Sequence, residues 1–337
     1  MKLTRPLHLP LLAQPKLQRS GLVLATALLA PQGLLLAAGP APLNLRSTAS
    51  FTIFAATTIT TTGSGAINGD VGLSPGTGAA IHLTDAQVKG TIYAVDAAGP
   101  PGSVIAPSLL EIAKGDLTAA YNEARDLVPV PVGNFLNPGA GNIGGMTLGP
   151  GLYKFDGIAL VTGTSVTLTG GETDVWIFQV GTKLEVGNGI QIILAGGAKP
   201  WNIFWQVGTS VVIGTTAVFK GTILADQSVT MNTGSTMDGR ALAAKGAVTF
   251  NGTGGSLPVP EPPRFTAISK TSNGAVELTL ETTPYFEVTL ESSTTLASGS
   301  WSVIQRKTPA TSIWNYTHQA ADATGPKRFY RASLTAR

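Results

Sequence analysis

The 337-residue sequence has no cysteine, three histidines and only 12% charged residues, about half the charged share of an ordinary soluble domain. Without cysteine there is no disulfide framework, thiolate zinc site or thiol nucleophile, so rigidity must come from packing. An excess of one charge sign is missing too. The formal +3 includes Lys2, Arg5, Lys16 and Arg19 within the first 38 residues, which hold no acid; setting those four aside leaves −1. A nucleic-acid partner thereby loses its main support. After residue 38 no stretch is long and apolar enough to span a bilayer.

What is present begins with the pattern of an export signal. A basic region to Arg19 precedes an apolar run from Gly21 to Leu36, and small residues follow at Ala37, Ala38 and Gly39. Pro31, Gln32 and Gly33 interrupt the run, which argues against a membrane anchor. We expect residues 1–38 to be a signal peptide and the mature protein to be secreted or extracellular, with cell-surface association left open, and with no membrane span. The next break is Pro-rich, LPVPEPPR over 257–264, which reads as a stiff linker. It divides a body, 39–256, from a tail, 265–337.

The body consists of short β-type runs separated by glycine, and they repeat. Val211, Val229 and Val248 stand 18 and 19 residues apart within SVVIG, SVTMN and AVTFN, and Phe204, Ile223 and Ala241 are spaced 19 and 18. That period, with three short strands and corner Gly or Asn in each, predicts a three-sided β-solenoid. Phe51–Ser74 also overlays Gly221–Ala243, so the N-terminal segment is a coil in its own right. Pro75 to Leu127 then intervenes without a coil pattern, and the solenoid is discontinuous. Residues of about 107–128 predict a helix, with Ser108 and Glu111 as a capping box and one apolar stripe through Leu109, Ile112, Ala113, Leu117, Ala120, Tyr121, Ala124 and Leu127. Such a helix matches the height of about six stacked coils. Residues of about 75–106 are expected to cap one end.

Strand alternation assigns outward side chains. Inward Val229 and Met231 leave Ser228, Thr230 and Asn232 outside; inward Val248 and Phe250 leave Thr249 and Asn251. Inward Val166 and Leu168 leave Ser165, Thr167 and Thr169, and the first coil exposes Thr58, Thr60 and Thr62 around Ile59. The expectation is one flat, uncharged grid of methyls and hydroxyls, able to order water. Lys183, Glu185 and Val212 depart from it. Threonine's aptitude for strands explains the same pattern without function.

The run Asn44–Ser74 with its GDVGLSPG ending, the helix, LGPGLYKF, DVWIFQVG, LAGGAKPWNIFWQVG, and FKGTILA through GRALA resemble, in order, the microbial secreted ice-binding (antifreeze) proteins of discontinuous β-solenoid fold. The resemblance covers about Leu43 to Gly255. It implies a mainly β chain: a three-sided solenoid, a helix alongside, and a first coil that rejoins the C-terminal coils. It also implies an ice-contacting side formed by Thr57–Thr62, Ser165–Thr169, Ser210–Ile213, Ser228–Asn232 and Ala247–Asn251, which adds Ser210 to the candidates. The implied partner is an ice crystal surface, with no enzyme activity and no cofactor or metal.

Other signals carry less. Gly72-Leu73-Ser74-Pro75-Gly76 matches a nucleophile elbow but lacks an α/β context. The glycine pattern from Gly139 to Gly144 leads into another strand rather than a helix. Beyond residue 38 the histidines are His82 and His318, one in each part of the chain, a poor basis for a metal site. Asp70, Asp226, Asp238, Arg240 and Lys245 could serve a polysaccharide-cleaving β-helix, although an ion pair of Asp70 with Arg240 or corner hydrogen bonding explains them more simply. The tail predicts a small β-sandwich, and LESSTTL and RFYRASL resemble fibronectin-type modules. Its Trp301, Trp314 and Tyr316 suit core packing or a sugar, so the tail could contact a cell surface or glycan. The alternative reading of the whole is an adhesin or polysaccharide-binding protein with the solenoid as spacer.

Overall fold

The computed structural model describes residues 39–62, 65–252, 254–256, 262–282, 287–307, 309, 313–320 and 328–335. The expected signal segment lies outside them, as do residues 257–261 of the expected linker.

From residue 51 to 256 the chain winds into parallel coils with three sides. The open side is a seven-stranded sheet in the order Ala159–Val161, Leu184–Val186, Val211–Ile213, Val229–Met231, Val248–Phe250, Ile59–Thr60, Ile81–His82. Val211, Val229 and Val248 stack level, as their spacing predicts. A second side runs Gly151–Phe155, Trp176–Val180, Ile203–Val207, Val218–Ala225, Thr236–Ala243, Phe51–Ala55, Asp70–Leu73, Ile92–Ala94, Val104–Ile105. Here the register corrects one reading. Trp205, not Phe204, stands level with Ile223 and Ala241, and Phe204 faces outward into the cluster beneath the helix.

The third side begins with Thr147–Leu148, Val166–Thr169 and Ile192–Ala195 and continues into the first halves of the two eight-residue strands. Those strands turn the corner at Gly221 and Gly239. Gly221 has φ +107°, and a Cβ on Gly239 would sit 1.9 Å from the Gly221 carbonyl oxygen, so the corner admits only glycine. Inside, Tyr153, Phe178, Trp205 and Phe219 form an aromatic ladder with centroid separations of 5.2, 3.9 and 5.7 Å.

The first coil rejoins the stack as expected. Ile53 pairs with Ala241 on one edge of its strand and Val71 on the other, Ile59 pairs with Val248, and Ala66 with Gly254. The segment after it is a correction. Residues of about 75–106 are not free of coil structure: Ile81–His82, Val88–Lys89, Ile92–Ala94 and Val104–Ile105 add a further irregular turn. Strands of two or three residues broken by 3-10 turns at Gly78–Ala80 and Asp85–Gln87 are too short to display a period.

Helix α1 (Pro107–Arg125) lies on the second side. Its 19 residues span about 28 Å, close to the roughly 29 Å between the outer strands of a seven-stranded sheet. Pro107 takes the first position, so Ser108 and Glu111 fall inside the helix and no side chain caps it. The buried stripe is Leu110, Ala113, Leu117, Ala120, Tyr121 and Ala124; Leu109 and Ile112 are 41% and 61% exposed, which rotates the expected face. The stripe packs on Phe54, Ile177, Phe204, Leu224 and Leu242, leaving these strands buried on both faces. Buried Gln179 donates from Nε2 to the carbonyls of Ala124 and Arg125 at 2.9 and 3.0 Å, closing the helix C-terminus from the sheet.

The tail forms two three-stranded antiparallel sheets: Arg264–Lys270, Val276–Glu281, Ile313–His318, and Ser302–Lys307, Glu287–Ser293, Phe329–Thr335. Both contribute to one core of Leu278, Leu280, Val288, Leu290 and Trp314, a small sandwich. Trp314 is buried there, and Trp301 lies 4.5 Å from the Arg331 guanidinium.

Candidate functional site

Three columns of side chains run up the open side. Register fixes the middle column as Leu160, Glu185, Val212, Thr230, Thr249, Thr60 and His82. By alternation, Lys183, Ser210, Ser228, Ala247 and Thr58 flank it on one side, and Thr162, Gly187, Gly214, Asn232, Asn251 and Thr62 on the other. Nine of the twelve predicted residues therefore meet on this face: Thr58, Thr60, Thr62, Ser210, Ser228, Thr230, Asn232, Thr249 and Asn251.

Ser165, Thr167 and Thr169 do not. Their strand belongs to the third side, where Thr147, Thr167 and Ile193 stand level. The strand that this coil gives to the open side is Ala159–Val161, with Leu160 outward. Alternation separates inside from outside but does not say which of three sides a strand occupies. Sequence reasoning also left Leu160 and His82 off the face; the 22-residue step from Thr60 to His82 was the available signal.

Hydrogen bonds hold much of the grid. Thr60 Oγ1 donates to Thr249 Oγ1 at 3.3 Å, and the Thr62 amide and hydroxyl donate to Asn251 Oδ1 at 2.9 and 2.8 Å. Ser210 Oγ accepts the Ser228 amide at 3.4 Å and Ser228 Oγ accepts the Ala247 amide at 3.3 Å, each across one coil. Thr58 donates to the Ala80 carbonyl at 2.8 Å. Side chains so fixed have little rotamer freedom left to lose on binding.

Four successive coils, those of Val212, Thr230, Thr249 and Thr60, carry no charge in any column. Glu185 ends this stretch on one side, paired to Lys183 at 2.8 Å with both side chains about 40% exposed; on the other side the next residue of the middle column is His82, exposed. The arrangement offers a flat lattice of hydroxyl, amide and methyl groups.

The five acids and bases singled out in the sequence have local contacts. Asp226 pairs with Lys245 at 2.7 Å and Asp238 with Lys220 at 3.2 Å. Asp70 accepts the Thr91 amide at 2.9 Å. Arg240 does not pair with Asp70; it donates to Ala49 O and Thr222. Ser74 is buried, and a Cβ at Gly72 would meet Phe51 and Leu110 at 2.7 and 2.8 Å, so this glycine serves helix packing. Gly139 to Gly144 lies in a loop with left-handed turns at Gly139 and Gly141. Among the described residues there is no group of three or more His, Asp or Glu that could hold a metal ion, and no helix long and apolar enough to cross a membrane.

A family model described as Ice-binding-like matches residues 53–254. An ice-binding protein of Flavobacterium frigoris (strain PS1) is 47% identical over 201 residues, 59% of this chain and 71% of that protein. Another, from a Colwellia species, is 42% identical over 212 residues, 63% of this chain and 82% of the relative. Among solved structures, an ice-binding protein with antifreeze activity from an Arctic yeast superposes with a TM-score of 0.59 at 33% identity, covering 66% of this chain and 96% of the other. An ice-binding protein from an Antarctic biological consortium gives 0.55 at 37% identity, covering 66% and 93%. With its three-sided coils, discontinuous first coil and flanking helix, the chain belongs to the ice-binding-like family.

Proposed function

We propose that this is a secreted, non-enzymatic protein that adsorbs to ice through the open side of the solenoid and so restrains ice growth and recrystallisation. The observation that carries the reading is the uncharged block of Thr230, Thr249 and Thr60 with Asn232, Asn251 and Thr62 beside them. Neighbouring strands lie about 4.8 Å apart and alternate side chains about 6.6 Å along a strand, so water over the block meets a regular set of donors and acceptors interleaved with methyls. A hydration layer ordered by that lattice merges with ice at little further entropic cost. Once molecules are anchored, ice can advance only between them, and the curved front that results is less stable than a flat one.

The face contributes many weak contacts rather than a pocket, so charge matters more by its absence than by its presence. A solvated ammonium or carboxylate keeps its own water structure, and the Lys183–Glu185 pair therefore bounds the adsorbing area. Ser165, Thr167 and Thr169 take no part in this face. The test is thermal hysteresis and recrystallisation inhibition by the chain from residue 39 onward. Activity at micromolar concentration is expected, and its absence would remove the proposal.

A further inference from the structure

Within a solenoid, each coil is held in register by the peptide that links it to the last. One joint in this stack has no such link. Thr249 and Thr60 are neighbours on the face but 189 residues apart in the chain. A one-residue slip there would turn the outward side chains of the first coil inward, and the uncharged block would lose Thr58, Thr60 and Thr62.

Arg240 stands at this joint. Among the described residues it is the one Lys, Arg, Asp or Glu side chain that is buried, at 5% exposure, and it has no carboxylate partner. Burial pushes its guanidinium down to about 10, still a cation at neutral pH. Nε and one terminal nitrogen donate to the Ala49 carbonyl at 2.9 and 2.8 Å. The other terminal nitrogen donates to Thr222 Oγ1 at 3.3 Å. Thr222 is level with Arg240 one coil back, while Ala49 sits in the 3-10 turn Arg46–Ser50 that runs straight into Phe51. One side chain thus spans three successive rungs across the break. From the helix, Asp116 accepts the Ser47 amide and hydroxyl at 3.2 and 2.5 Å, but these contacts are only part-buried.

We propose that Arg240 is a positioning residue for the ice-adsorbing face, clasping the turn before the first coil so that Thr58, Thr60 and Thr62 continue the columns begun by Thr230 and Thr249. The inference rests on the ice-adsorption reading for its consequence, but not for the clasp itself. An isolated cation is costly to bury, and no other feature of the site requires a charge there. A fixed three-way donor at a joint lacking covalent continuity does require one.

The experiment uses Arg240→Met with and without a covalent substitute for the clasp. Since the chain has no cysteine, Ala66→Cys with Gly254→Cys gives a single disulfide between register partners across the joint. A Cβ at Gly254 comes no closer than 3.9 Å to its surroundings, and the pair lies away from the open side. R240M is expected to lose about half or more of the thermal hysteresis while circular dichroism at the assay temperature stays native, with the disulfide restoring activity and reduction removing it again. In R240M, exchange of the Val248 amide, which donates to Thr58 O at 3.0 Å, should become roughly tenfold faster. If R240M does not fold, the comparison is made on Arg240→Lys, for which a smaller loss and the same rescue are expected. Wild-type hysteresis together with unchanged Val248 exchange in the variant overturns the clasp; so does a loss that the disulfide leaves uncorrected. An inactive wild-type protein overturns the ice reading instead, and Val248 exchange then still decides on Arg240.

Discussion

Thr249 is the centre of the uncharged block, with Thr230 level on one side and Thr60 on the other. Three coils at about 4.8 Å and two side-chain steps of about 6.6 Å give the threonine and asparagine part of the face an extent of roughly 14 by 13 Å, or about 180 Å². A tyrosine side chain carries about 150–250 Å² of surface, as much as the whole block. Thr249→Tyr should therefore lift the block off the ice and abolish most of the thermal hysteresis. Its stability cost is small, because the side chain is at the surface. The Thr60 hydroxyl loses one acceptor at 3.3 Å, worth about 0.5–1.5 kcal/mol, and the melting temperature should fall by no more than a few degrees. Thr167→Tyr, made equally on the third side, is the matched control and should keep full activity. Hysteresis unchanged in T249Y, or lost equally in T167Y, would refute the face assignment.

Replacing Lys183 and Glu185 together by threonine should extend the uncharged stretch by one coil and raise hysteresis, whereas Glu185→Thr alone leaves Lys183 unpaired and should not; nanolitre osmometry on the single and double variants distinguishes the two. Gln179→Leu removes the donor shared by the Ala124 and Arg125 carbonyls and should cost about 1–3 kcal/mol, read from the denaturant midpoint. Burial pushes the Tyr153 phenol up to about 12, where it donates to Gly149 O at 2.7 Å. The unfolded chain releases that proton near pH 10, so this contribution to stability is complete below about pH 10 and declines as pH rises toward 12. Tyr153→Phe should flatten that part of a stability–pH profile.

The period of the coils was legible where it is shortest. Val211, Val229 and Val248 show it because nothing is inserted between them. Ala159, Leu184 and Val211, which stack in the same way, are 25 and 27 residues apart, lengthened by segments such as 170–175 and 196–202. Across those inserts only strand alternation is left to read, and alternation does not distinguish Ser165–Thr169 on the third side from a strand of the open side. The helix was legible as an amphipathic run, but its face was misjudged because Leu109 and Ile112 are as apolar as Leu110. Periodicity alone does not tell that Pro107 starts the helix and that the groove beneath Leu110 fits over Gly72. Arg264–Lys270, almost wholly exposed, offered no alternation to read.

The coincidence of regular coils and threonine columns follows from what a lattice-matching face needs. The coils of Leu160, Glu185 and Val212 present no repeated set on the open side: Gly187 and Gly214 have no side chain, and Lys183, Glu185, Val212 and Leu160 follow no common chemistry. The threonine coils repeat both backbone and side chain. Two of them, those of Thr230 and Thr249, lie at the C-terminal end of the solenoid, and the run reaches three threonine coils only by taking the first coil into the stack. The discontinuity is therefore what widens the uniform block from two coils to three. Since adsorption sums over equivalent contacts, each lost coil should lower affinity by more than any single side chain does. Excluding the first coil from the stack, with every threonine left intact, should weaken adsorption more than Thr60→Ala does.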